Sequence, residues 1–549
     1  MSAWWSIRQV YLFGITMWLS IGVLSDDGAG KAIIERVVDL HSLTVPWAQQ
    51  LWRTNALQAL RHCAALAESG ARDRPKSWSL KYARDAIASD PNVPPAERGF
   101  LLRTLSINAE KLVPGSTSLL QLELAEGHLS ENYWDWMIGF FNSKDDTQPV
   151  ASSGIDIDQA AWRIGSLLRS AGLSDRWVVN YFSYHLNHNA KRVSVADVLV
   201  EAREVARGEP GWVFLVPLES ARGYNIPSTP PFLPRRDFED RFKTEFPTEP
   251  MPSNRGGLEL RPDTIDKYAA IEWAEREVRA LLNRHNAAGN RRILRPVNRA
   301  WVLPGAWQTE LSFAPQSRVR LPSLDAFGGG QLFHPASDEV EAATDLLIAA
   351  DMTSERAACV ATWSVLETLF ADESDFGDLA SIADRAADIL VCLYVRDAYE
   401  RLAVGHSRGG NDALADELRS SARPRRAELI AESLGTRGLA VNSTLGAAAI
   451  QTALQLKQGA VAILHQQLAT ALRRLYDVRN QIVHAGVVAP YGLQSVYYDS
   501  VVLVSGLLSE VHAQYQSSGT SARRLAASAS WHLGRVRDGI SPVWSLSSL

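Results

Sequence analysis

Residues 472–486 read LRRLYDVRNQIVHAG, and this stretch decides the fold. With the residues before it, Leu464, Leu468, Leu472, Leu475 and Ile482 recur at spacings of 4, 4, 3 and 7. That is the period of an α-helix with one buried stripe. At about 100° per residue, Arg473, Asp477, Asn480 and His484 fall together on roughly the opposite face, each one turn from the next. Arg479 lies at the edge of the stripe, where a guanidinium must snorkel, pair or face a partner surface. Gly486 stops the helix. His484 then sits in the last turn, where the helix dipole favours a protonated imidazole. Two readings of this face stay open. Arg473 and Asp477 form an ordinary i, i+4 salt bridge beside plain polar residues, or the five groups are gathered for chemistry.

The same periodicity spreads outward. KAIIERVVDLHSL, PWAQQLWRTNALQALRHCAALAESG and IDQAAWRIGSLLRSAG give a helical N-terminal region over 1–208. Pro46 and Pro94-Pro95 mark helix starts, and Gly70 and Gly172 mark helix ends. Residues 209–336 differ. Residues 211–219, GWVFLVPLE, read as a buried strand. Seven prolines between Pro227 and Pro252 then forbid a continuous helix or a central strand, which predicts a linker or extended arm. Residues 264–286 are a helix, and RILRPVNRAWVL and QTELSFAPQSRVRL are strand-like. Gly328–Gly330 read as a flexible connection. Residues 337–549 return to helices, expected at 337–371, 378–402, 445–485 and 491–516, around a glycine-interrupted insert at 403–440. The fold class is mainly α and multidomain, with a small α+β middle region and a C-terminal helical bundle.

Composition narrows the function. The chain has 549 residues, is 46% hydrophobic and carries a net charge of -5. Those values exclude a disordered chain, a disulfide scaffold and a globally basic nucleic-acid coat, but not a local basic patch. Cys63, Cys359 and Cys392 form no CxxC pair and read as buried apolar residues of a reducing compartment. The expected location is cytoplasmic. Val10–Leu24 is an uncharged run of fifteen residues, short of the roughly 20 a membrane helix needs. It leaves open a buried segment or an upstream-start artefact with the true start at Met17, a membrane-associated segment, or a signal-peptide hydrophobic region.

Familiar catalytic signatures are missing: there is no GxxxxGK[ST], HExxH or GxSxG. His185 and His188 lack companions for a metal site and read as surface or helix-end residues. No cofactor or metal is expected. Trp134, Trp136, Trp162 and Trp177 lie in apolar helices and read as core.

Arg479-Asn480, three further residues and His484, late in a long helix with Leu-Tyr before and Gly after, resemble the signature of HEPN domains of the Apea-like group. ATWSVLETLFAD at 361–372 is similar to the opening helix of that domain. Its Glu367, beside Val360 and Trp363, is placed to pair with Arg479. The resemblance covers about 340–515 and leaves the preceding region unexplained. It implies a helical domain that forms a homodimer or higher homo-oligomer, and a metal-independent endoribonuclease with a composite site. It makes His484 the proton-transfer residue, Arg479 the phosphate stabiliser and Asn480 the positioning residue, with Glu367, Arg473 and Asp477 organising them. RNA is the expected partner, with Arg419, Arg423, Arg425 and Arg426 as candidate RNA-binding residues in a mobile basic loop. A second basic cluster is Arg291, Arg292, Arg295 and Arg299. Such domains often serve phage defence or toxin-type growth arrest, with the N-terminal region as regulator and a phage-derived or other activator. The alternatives are a non-catalytic interaction module and a membrane-associated sensor.

Overall fold

The computed structural model describes residues 28–42, 51–70, 73–144, 154–188, 194–208, 211–222, 224–287, 293–313, 321, 336–351, 354–372, 375, 380–421, 423–434, 439, 458–488, 490 and 492–542. The protein is mainly α with one small antiparallel sheet. Val10–Leu24, Pro46, Gly328–Gly330, Arg291 and Arg292 lie outside the described residues. No helix among the described residues is long and apolar enough to cross a membrane.

Contacts divide the chain into two units, one of 1–167, 181–200 and 317–549, the other of 168–180 and 201–316. The expected boundaries at 208/209 and 336/337 correspond only loosely to this. The N-terminal helices belong to the same unit as the C-terminal bundle, and the division falls inside three helices.

The first unit opens with α1 (Ala29–Ser42), α2 (Ala56–Glu68), α3 (Asp73–Ser89), α4 (Pro95–Thr104) and α5 (Thr117–Asn142). Their starts follow from local chemistry. Asn55 and Gln58 close a reciprocal capping box at α2. Pro95 opens α4, where its missing N–H is no loss. Gly70 follows α2 at φ 68°, a left-handed position that suits glycine. The next helices, α6 (Ile157–Ser170), α7 (Asp175–His188) and α8 (Val195–Ala206), are shared between the units. His185 is buried in α7, not at the surface. Of the four tryptophans expected in the core, Trp162 is buried and the others are partly exposed.

The second unit is a sheet in the order β2-β3-β1-β5-β6, with β4 also paired to β1. The strands are β1 (Val213–Arg222), β2 (Phe232–Pro234), β3 (Gly256–Leu260), β4 (Ile293–Pro296), β5 (Arg299–Leu303) and β6 (Trp307–Glu310). Side chains alternate across a strand, so the apolar run of β1 serves two faces. Phe214 and Val216 pack on α10 (Lys267–Ala287) through Ala270, Ala274 and Val278. Leu215 packs with Trp301, Phe238, Phe242 and Phe246. Those phenylalanines come from α9 (Arg235–Glu245) and the residue after it, inside the proline-rich stretch. The expected linker is therefore an edge strand and a helix: Pro234 precedes the helix, Pro247 lies just beyond it, and the helix's eleven residues make three turns.

The rest of the first unit comprises α11 (Asp338–Asp351), α12 (Glu355–Phe370), α13 (Ser381–Gly409), α14 (Ala413–Ser420), α15 (Arg423–Ser433), α16 (Gln458–Val483), α17 (Leu493–Ser518) and α18 (Ala522–Arg537). The single helix expected over 337–371 is two, with Ser354 capping the second through Ala357 N. The glycine-interrupted insert is largely helical too. α13 runs through Gly405 because its inner face is buried throughout, which outweighs the roughly 1 kcal/mol propensity loss at one glycine. One core joins these helices, and Trp52 from the N-terminal region is part of it. Cys63, Cys359 and Cys392 are buried free thiols.

Gly257 in β3 faces the fully buried ring of Phe238, and a Cβ there would lie 2.1 Å from Phe238 Cδ2. Gly257→Ala is expected to cost about 1–3 kcal/mol of stability through overpacking. Urea denaturation checks this; an unchanged midpoint would mean that the ring has room to retreat.

Candidate functional site

Leu464, Leu468, Leu472 and Leu475 are buried along α16, as the stripe requires. The helix ends at Val483, and Gly486 takes a left-handed φ of 65°. His484 N still donates to Asn480 O at 2.9 Å, so the imidazole projects from the helix end. Val487 N reaches back to Gln481 O at 3.0 Å and closes the turn. His484 is exposed, whereas Arg479 and Asn480 are half-buried.

Arg479 joins the group. Its Nη1 donates to Asn480 Oδ1 at 3.1 Å and contacts His484 Nε2 at 2.9 Å. Its Nη2 lies 3.9 Å from Glu367 Oε1. Glu367 comes from α12, where it accepts from Trp363 Nε1 at 2.7 Å, one turn back on the same helix. Trp363 is fully buried, and its ring centroid lies 4.9 Å from that of Tyr476 on α16. The chain of contacts therefore runs from core indole to carboxylate to guanidinium to imidazole. A guanidinium has only donors. The imidazole nitrogen that meets it therefore serves as an acceptor in this contact. Asn480 spends its oxygen on Arg479, and among the described residues its amide nitrogen has no partner.

Two expected members are elsewhere. Arg473 Nη2 donates to both oxygens of Asp384 on α13, at 2.7 Å each. Asp477 is 3% exposed and lies 3.3 Å from His62 Nε2 on α2. Neither of the two open readings holds for them: they do not form an i, i+4 pair, and they do not line a groove with His484. The wheel gives the direction of a side chain but not what covers it. α2 covers the helix at Asp477 and leaves its end open at His484. Sequence reasoning missed His62; a buried histidine on a distant helix carries no local signal. Trp363 was visible as a neighbour of Glu367 but not as its donor.

The expected basic loop is two helices, and its arginines are engaged within the chain. Arg419 donates to Ser407 O and Gly410 O, each at 2.8 Å. Arg425 pairs with Glu417, Glu428 and Glu432. Arg426 binds Glu400 at 2.9 Å and Leu418 O at 2.9 Å. The side chain of Arg423 lies outside the described residues. These groups tie α13, α14 and α15 together, which leaves little positive field for a phosphate. In the other cluster, Arg295 lies 3.7 Å from Glu219. No group of three or more metal-ligating side chains occurs among the described residues.

No family model matches the chain, and neither a curated protein nor a solved structure does.

The His62–Asp477 contact is buried on both sides. Burial pushes the imidazole below its ordinary 6.5, opposed by Asp477 and assisted by the nearby Arg474. Burial pushes the carboxyl above its ordinary 3.8, opposed by His62 and then by Arg473 and Arg474. The signs are opposite. The folded state resists protonation of His62, so that contribution is intact above 6.5 and is lost as pH falls through the lowered value. Asp477 favours its proton when folded, so its contribution grows as pH falls towards 3.8. Acidification from about pH 7.5 to about pH 5.5 therefore reads His62 first. His62→Gln keeps a donor for Asp477 but cannot titrate. Its Tm is expected to fall less than that of wild type over this window; equal falls would place the sensitivity at other groups.

Proposed function

We propose that the protein is a metal-independent endoribonuclease acting through Arg479, Asn480 and His484, with Glu367 orienting the guanidinium. The observation that carries this reading is the shared contact of one guanidinium nitrogen with Asn480 Oδ1 at 3.1 Å and His484 Nε2 at 2.9 Å. It puts an imidazole, a fixed cation and an amide within reach of one phosphodiester.

The chemistry follows from those groups. A phosphodiester seated at the helix end offers Arg479 a charged acceptor, which outcompetes a neutral ring nitrogen. The guanidinium turns to the phosphate and frees His484 Nε2. That nitrogen takes the proton of the adjacent 2′-hydroxyl. The 2′-oxygen bonds to phosphorus, and Arg479 and the Asn480 amide stabilise the crowded oxyanion. The phosphorus–5′-oxygen bond breaks, and the leaving oxygen takes a proton from an acid. The products are a 2′,3′-cyclic phosphate and a 5′-hydroxyl. The positive charge of Arg479 does the work that a metal ion does in other nucleases. Base and acid are distinct groups in this step. A second copy of His484, brought close by a twofold axis, supplies the acid, so the active species is a homodimer or a larger even assembly.

Packing supports regulation by the N-terminal helices. α2 contacts the helix that carries the site at Asp477, two residues before Arg479. A cytoplasmic effector of growth arrest or phage defence, restrained until triggered, fits that arrangement.

RNA cleavage in excess EDTA tests the reading. Wild type is expected to leave cyclic phosphate ends. His484→Ala is expected to lose about 10²–10⁴-fold in rate, and Arg479→Ala about 10²–10³-fold. Both variants should keep the wild-type circular dichroism spectrum. Cleavage by His484→Ala at the wild-type rate, or products ending in a 3′-hydroxyl, would sink the proposal.

A further inference from the structure

The second unit holds a cavity of ≈ 530 Å³ that the reaction above does not use. Its walls offer three kinds of chemistry. Arg176 from α7 and Lys267 from α10 converge on the ring of Tyr268, the guanidinium carbon 4.7 Å and the ammonium 4.9 Å from its centroid. Both cations are exposed, and among the described residues neither has a carboxylate at ion-pair distance. Glu275 and Glu310 also line the cavity, but neither is in a direct ion pair with these cations, so both positive groups stay able to turn to an anion. Trp307 from β6 adds a half-buried indole, a flat apolar surface. Glu275 from α10 also lines the cavity and is only 7% exposed. Its Oε1 accepts from Ser312 N at 2.7 Å, and among the described residues its Oε2 has no donor. Burial pushes this carboxyl above the usual carboxylate range, opposed by the Ser312 N–H and then by Arg279 and Arg176. A donor from a ligand would relieve that position.

The complementary molecule has an anionic end, a planar body and N–H donors beyond it. A simple sugar phosphate lacks the planar body that would lie on Trp307, and a dicarboxylate would meet Glu275 as a like charge. We propose that this cavity binds a 5′-nucleotide, free or at the end of an RNA strand, with its phosphate on Arg176 and Lys267, its base against Trp307 and its amino edge on Glu275. Guanine presents two adjacent N–H donors to a carboxylate and is preferred. Uracil presents one N–H between two carbonyls, which the carboxylate repels, and is the weakest. The site stands independently of the nuclease reading.

Calorimetric titration of the full chain with GMP, UMP, guanosine and inorganic phosphate is the test. GMP is expected to bind, with UMP and guanosine each weaker by about tenfold or more. Glu275→Gln keeps an acceptor for Ser312 N but turns a donor toward the base. It should weaken GMP by about tenfold and leave UMP nearly unchanged. The double variant Arg176→Ala/Lys267→Ala should weaken both nucleotides. A trinucleotide beginning with G, with and without a 5′-phosphate, identifies the source when titrated into His484→Ala protein. Tight binding of the phosphorylated form points to an RNA end, and binding of GMP alone points to the free nucleotide. His484→Ala should bind GMP as wild type does, so failure of the nuclease reading leaves this result readable. Absence of GMP binding by folded wild type, or GMP affinity unchanged in both Glu275→Gln and the double variant, overturns the proposal.

Discussion

Asp477 is a carboxylate on a face of α16 that another helix covers, and His62 is the group that meets it. A buried carboxylate left alone would cost several kcal/mol or shed its charge. Here burial moves both partners towards neutrality, so the contact has more of a hydrogen bond than of an ion pair. Trp78 flanks the imidazole at 5.8 Å between ring centroids, which limits its rotation. The contact joins α2 to α16 across more than four hundred residues, and Trp52 just before α2 enters the C-terminal core; the N-terminal helices and the bundle fall in one unit.

The site at the end of α16 inherits its order from the other side of the same helix. Trp363 cannot move without opening the core, and its indole N–H fixes Glu367. Glu367 sets the electrostatic bias on Arg479, at a distance where the pair is weak as a source of stability but adequate as a guide to orientation. Arg479 then holds the imidazole and the amide. A helix end would otherwise let His484 fray. Contact chains of this kind let an exposed reactive group stay ordered, because the chain is anchored at its far end by a side chain fixed in the core.

The regular elements could be read from periodicity because burial imposed it. β1 was legible as an apolar run, and the leucine stripe of α16 was legible at helical spacing. α9 was not. Its mean character is polar, and seven nearby prolines dominate the local signal. Only two phenylalanines four residues apart, Phe238 and Phe242, betray a helix that pays its way in tertiary packing. α18 lies outside the expected helices although Leu525, Ala529, Leu533 and Val536 recur at helical spacing and fill the bundle; small alanines make that stripe fainter than the leucines of α16. Asp477 and His484 share a face of one helix and were read together. Their environments diverge because α2, drawn from more than four hundred residues earlier, covers only the first. No local pattern encodes that.

Cation positions show the same limit from another side. Arg419, Arg425 and Arg426 stand close in sequence and look like a surface for phosphate, but glutamates, an aspartate and carbonyls inside the bundle already hold them. Arg176 and Lys267 stand about ninety residues apart and attract no notice in the sequence. The ring of Tyr268 brings them together, and among the described residues neither forms a direct ion pair with a carboxylate. What makes a positive site is the charge left over after the chain has satisfied itself. In a protein of net charge -5, that remainder is small and local. It lies where aromatic faces, not acidic side chains, support the cations.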